Sequence, residues 1–140
     1  MDRSLAREIA MKMLYAASLG GEESMNEVLE QSEQADTLSG SDKTFLENLV
    51  YGVQTHQEEL DGVIGQYAQG WALNRLAKVD LTILRMAVYE LKYMPEVPVG
   101  AAINEAVELD KNYDDPDTVA FVNGVLGGFM RGELTAAEQE

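Results

Sequence analysis

Cysteine is absent from the 140-residue sequence, and histidine and tryptophan occur once each. Disulfides, thiolate metal sites and cysteine nucleophiles are therefore excluded. The lone histidine, His56, falls on an apolar helical stripe, where packing at the core or its boundary is the expected role. No apolar run approaches the ~20 residues needed to span a bilayer. The opening Met1-Asp2-Arg3-Ser4-Leu5 carries no apolar segment of the signal-peptide kind, so a cytoplasmic address and no membrane contact are expected. Sustained two-residue alternation with β-branched enrichment is missing too, which argues against strands. Basic side chains are scarce: 10 against 25 acidic ones, for a net charge of -15.

What remains is helical and acidic. A chain of this length fits one domain and buries roughly two-thirds of its unfolded surface. The deficit of positive charge is uneven. Residues 1–20 hold three basic and two acidic side chains, and residues 71–94 hold four and two. Residues 21–70 hold one basic and eleven acidic, and residues 95–140 hold two and ten. An anionic partner is thus expected at the first or third segment, although acidic loops also serve solubility alone.

Apolar residues at steps of three and four place a first helix over about Ser4 to Leu19, ended by Gly20-Gly21. Arg3, Arg7 and Met11 share another side of it, with Tyr15 at the edge. A short helix over about Ser24 to Ala35 follows, then one starting after Ser41 as N-cap. Phe45, Leu49, Val53 and His56 form its stripe, with a break expected near residues 56–60. Leu60, Val63, Ile64 and Tyr67 resume the pattern until Gly70, and Trp71-Ala72-Leu73 begins a helical turn. Val79 to Met94 is apolar over most of its circumference, the mark of a central buried helix. Pro95 and Pro98 separate it from a helix carrying Ala102, Ile103, Ala106, Leu109 and Tyr113. Asp115-Pro116 reads as N-cap and first residue of a last helix, with Val122, Val125, Leu126 and Phe129 inward. The expected fold is all-α: about seven helices over a domain 1–132, followed by a polar flexible tail, 133–140.

Catalytic constellations are lacking: no nucleophile elbow, phosphate-cradling glycine loop or zinc-binding helix pair. Gly124, Gly127 and Gly128 serve close packing or helix termination. The acidic run Asp110, Asn112, Asp114, Asp115, Asp117 fails as an EF-hand loop, which needs glycine sixth and glutamate twelfth; those places hold Asp115 and Phe121. Helix-start chemistry accounts for it, and neither metal nor cofactor is expected. Arg85, set among apolar residues, needs a carboxylate partner, for which Glu105 of the next helix is the expected choice. Phe121, if exposed at its helix start, offers a stacking face to an unpaired base, with Asn123 able to hydrogen-bond a base edge.

Three blocks resemble one family. Ala6-Arg7-Glu8-Ile9-Ala10 with Leu14-Tyr15 resembles the opening helix of the NusB family. Trp71 to Asp80, Ile83-Leu84-Arg85-Met86-Ala87 and Tyr89-Glu90-Leu91 resemble its central block. Pro98, Ile103 to Leu109 and Phe121 to Leu126 resemble its C-terminal signature. The likeness runs from about Arg3 to Arg131 and is specific through the order and spacing of its parts. It implies an all-helical bundle made of two subbundles and a non-catalytic role in transcription antitermination on ribosomal RNA operons. The implied partners are boxA-like single-stranded RNA, the small-subunit ribosomal protein that acts as NusE, and the RNA polymerase antitermination complex. The resemblance assigns Arg3, Arg7, Tyr15, Asp117, Phe121 and Asn123 to RNA, and Asn74, Arg75 and Asp80 to the protein partner. Either a monomer or a homodimer is compatible with it.

The sequence also departs from that family. The usual arginine-rich opening keeps only Arg3 and Arg7, Asp110 replaces the alanine of the customary E-L-A-K step, and Ala120 stands where a lysine is common. Fewer cations mean less counterion release, so weak RNA binding by the isolated chain is expected. A NusB-type module that binds only proteins is the alternative. The similar RNA-binding domain of ribosomal RNA cytosine methyltransferases would require a methyltransferase domain, for which these 140 residues leave no room.

Overall fold

The computed structural model describes residues 3–68 and 73–134. Among these it contains seven α-helices and no strand: α1 (Ser4–Gly20), α2 (Glu22–Gln31), α3 (Gly40–Thr55), α4 (Gln57–Tyr67), α5 (Lys78–Tyr93), α6 (Val99–Lys111) and α7 (Pro116–Phe129). The expected tail from residue 135 onward, together with Gly70 and Trp71-Ala72, lies outside the described residues. The chain divides into two units between Thr55 and His56.

In the first unit α1 packs against both α2 and α3. Ala6, Ile9, Ala10 and Met13 from α1 and Phe45, Leu46, Leu49 and Val53 from α3 are buried. Each of the larger side chains contributes roughly 1.5–3 kcal/mol by leaving water. Gly21 ends α1 with φ 86° and ψ -172°, a region essentially restricted to glycine, and its N–H reaches Ala17 O at 2.9 Å. Two boundaries differ from expectation. The second helix ends at Gln31, because Ser32 turns extended, and a 3-10 turn over Glu33–Thr37 brings Ala35 and Leu38 inward. The cap of α3 is Ser39 rather than Ser41: its Oγ accepts from Asp42 N at 3.1 Å, two residues earlier than the periodicity indicates.

In the second unit α5 is central and contacts α4, α6 and α7. Ile83, Leu84, Ala87 and Val88 are each at most 1% exposed. The break expected near residues 56–60 falls at His56. His56 is half-buried, with its ring 4.5 Å from Tyr93 and 5.7 Å from Tyr89. Arg85 does have a carboxylate partner, but it is Asp61 of α4 and not Glu105. Nε donates to Oδ1 at 2.7 Å and Nη2 to Oδ2 at 2.9 Å. The reason is helical phase: Arg85, Tyr89 and Lys92 form one stripe of α5, and it faces α4, where Lys92 and Tyr93 both donate to Glu59. At the end of α7, Gly128 permits close approach, since a Cβ there would lie 3.2 Å from Tyr67 Cδ1. Gly124 has open space and plays no such part.

The bidentate Arg85–Asp61 pair is only 15% and 27% exposed. Breaking it leaves a partly desolvated charge. Arg85→Ala and Asp61→Ala should each lower the unfolding free energy by about 1–3 kcal/mol, measured by urea denaturation. In a double-mutant cycle the two should be less than additive by about 1–2 kcal/mol.

Candidate nucleic-acid and partner interface

The two units carry separate parts of the residue set singled out by sequence. In the first unit, Arg3 caps α1 and Arg7 follows one turn later. Both guanidinium groups lie over the ring of Phe45 in α3, at 4.5 and 5.1 Å from its centroid. Arg3 Nε also stands 3.7 Å from Asp42 Oδ1. Arg7 is only 7% exposed and Met11 2%, so the side they share with Tyr15 is largely covered, not the open face the spacing implied. Arg3 and Tyr15 are half-buried.

In the second unit the geometry is set by the start of α7. Asp115 is its N-cap, accepting from Thr118 N at 2.9 Å. That backbone hydrogen bond holds the Asp115 carboxyl below the usual carboxylate range. Pro116 supplies the first helical residue. Asp117 and Asn123 are exposed and Phe121 is half-buried. A cavity of about 230 Å³ opens here, lined by Arg75, Leu76, Ala77, Asp80, Asp114, Asp117, Thr118 and Phe121. It unites residues that sequence reasoning had sorted into two groups, Asp117 and Phe121 for RNA and Arg75 and Asp80 for a protein. The side chain of Asn74 lies outside the described residues, and Asn123 is not in the cavity wall.

Asp80, which the resemblance assigns to the protein partner, is 2% exposed and forms part of the cavity wall. It stands in the first turn of α5 beside Asp110 at the end of α6 and Asp114 in the following turn; carboxylate oxygens of all three lie within 4.8 Å of one another. Burial first, then the adjacent carboxyls of Asp110 and Asp114, push the Asp80 carboxyl up to about 9, and burial raises Asp110 as well. The sequence treated Asp110 and Asp114 as helix-start chemistry and missed their meeting with Asp80, thirty positions away. The one available signal was that Asp110 falls on the inward stripe of Ala102, Ala106 and Leu109.

Such a group favours folding in its protonated state. Its contribution is complete below the ordinary value of 3.8 and is lost as pH rises toward about 9. Facing it are Asp110 and Asp114, with Asp117 and Arg75 along the same cavity. In chelator-containing buffer, circular-dichroism melts should therefore show Tm falling from about pH 5 to pH 9. Asp110→Asn removes one like charge and adds a donor, so it should flatten that fall and raise Tm at pH 8 by about 3–6 °C.

These features define an all-helical protein of two bundles whose polar and aromatic side chains gather at the starts of the first and last helices. The NusB family model matches residues 4–131, and the chain belongs to the NusB family. The transcription antitermination protein NusB of Acetivibrio thermocellus is 42% identical over 99% of this chain and 94% of its own length. A solved structure of antitermination factors NusB and NusE in complex with dsRNA contains a chain that matches at TM-score 0.80 and 30% identity, over 94% of this chain and 98% of that one. T. maritima NusB matches at TM-score 0.83 and 28% identity, over 94% and 92%.

Proposed function

We propose that this chain is a cytoplasmic, non-catalytic transcription antitermination factor of ribosomal RNA operons. It binds boxA-like single-stranded RNA together with the small-subunit ribosomal protein that serves as NusE, within the RNA polymerase antitermination complex. The observation that carries this reading is the likeness, over nearly the whole of both chains, to a NusB solved with NusE and dsRNA. The site supports it in kind. Arg3 and Arg7 supply cations, Tyr15 and Phe121 aromatic faces, and Asn123 an exposed amide, which is the equipment for holding unstacked bases and backbone. Among the described residues no helix is long and apolar enough to cross a membrane. The net charge of -15 steers a basic ribosomal protein toward the chain and repels RNA, so the partner is what makes RNA binding strong. Arg75, exposed on the cavity rim beside Asp117, is the better candidate for direct contact with that protein than buried Asp80.

A second reading, a NusB-fold module that binds only proteins, is favoured by the engagement of both arginines with Phe45. Fluorescence anisotropy separates the two, using a boxA-like strand and a scrambled control, with and without the ribosomal protein. Arg3→Ala, Phe121→Ala and Asn123→Ala should each weaken selective binding by about 5–20-fold, corresponding to roughly 1–2 kcal/mol per contact. For the isolated chain, the slope of log K against log salt should be no steeper than about -1.4, the value for two cations on a single strand. Absence of selective binding even with the partner present would establish the protein-binding module instead.

A further inference from the structure

The acidic cluster of the second unit is not accounted for by RNA or protein binding. Asp110 is completely buried and Asp80 is 2% exposed. Neither oxygen of Asp110, nor Oδ1 of Asp80, receives a hydrogen bond from any described residue. Buried carboxylates normally have donors, a counter-ion or a metal. Arg75 lines the adjoining cavity but forms no ion pair with the three carboxyls among the described residues.

We propose that Asp80, Asp110 and Asp114 bind one hard divalent cation (magnesium, calcium or manganese), tying the first turn of α5 to the corner between α6 and α7. The oxygens lie within 4.8 Å of one another, a spacing a single ion can bridge. All donors are carboxylate oxygens, without nitrogen or sulfur, which selects hard cations over zinc or copper. Asp80 and Asp114 also border the cavity of about 230 Å³, which gives the ion a route in and leaves room for the water ligands that magnesium and manganese retain. The ligands come from two segments thirty residues apart, Asp80 on one and Asp110 with Asp114 on the other, so no linear loop motif reports the site.

The test uses the full chain, stripped with EDTA and dialysed at pH 8. Thermal melts and isothermal titration calorimetry are run with magnesium, calcium or manganese chloride at millimolar concentration. At least one cation should raise Tm by about 3–8 °C, as expected of a ligand held only by the native state. Calorimetry should show one site per chain. Asp110→Asn and Asp114→Asn should abolish both responses, although Asp110→Asn is the more stable protein in EDTA. Asp36→Asn, an exposed carboxylate in the other unit, should keep them. A wild type whose Tm and heat are indifferent to all three cations would mean that the cluster holds a shared proton only, and the proposal falls. Full retention of the response in Asp110→Asn would overturn it equally. Neither result depends on RNA, so failure here leaves the antitermination reading standing.

Discussion

The second unit depends on the burial of α5. Ile83, Leu84, Met86, Ala87, Val88 and Leu91 cover most of its circumference, and a helix with that pattern finds a stable place only with neighbours on several sides. α4, α6 and α7 supply them. The one polar stripe of α5, Arg85, Tyr89 and Lys92, is then compelled to find polar partners, and it meets Asp61, His56 and Glu59. The register of α4 on α5 follows from satisfying those groups, because a bidentate guanidinium tolerates little slippage.

The same burial has a consequence at the end of α5. Its first turn carries Asp80, and drawing the helix into the core takes that carboxyl with it. The end of α6 is drawn in beside it, so Asp110 comes to lie within reach of Asp80. Three acids in a small volume resist ionising together, and the arrangement is tolerable with a proton shared between them or a cation among them. The corner so formed is where α7 begins, with its Asp115 cap, Asp117 and Phe121. The acidic cluster and the start of the last helix therefore share one stretch of backbone and one cavity wall.

In the first unit the scarce positive charge is committed before any partner arrives. Arg3 and Arg7 lie on Phe45, and Arg3 is near Asp42 as well. Contact with the Phe45 ring restricts both guanidinium groups, and Arg7 is only 7% exposed. This contact also limits how much cationic field the surface projects, in keeping with a chain that carries 25 acidic residues.

Helix number and approximate position were legible in the sequence because the periodicity of apolar residues is a local property of the chain. So were the stop at Gly21, the break at Pro95 and Pro98 between α5 and α6, and the Asp115-Pro116 start, since capping and φ restriction act within a few residues. The family, too, could be read from the order of the motifs. Which side chains meet across helices could not. Arg85 chose Asp61 over Glu105 because helical phase against α4, a tertiary quantity, decided it. Arg7 lies against Phe45 because α3 packs on α1, and nothing in α1 alone shows that. Asp110 reads as helix-start chemistry in the sequence, and only packing joins it to Asp80. Local sequence determines where helices run and end; only their packing decides which charges lose water, and on that loss the character of this site depends.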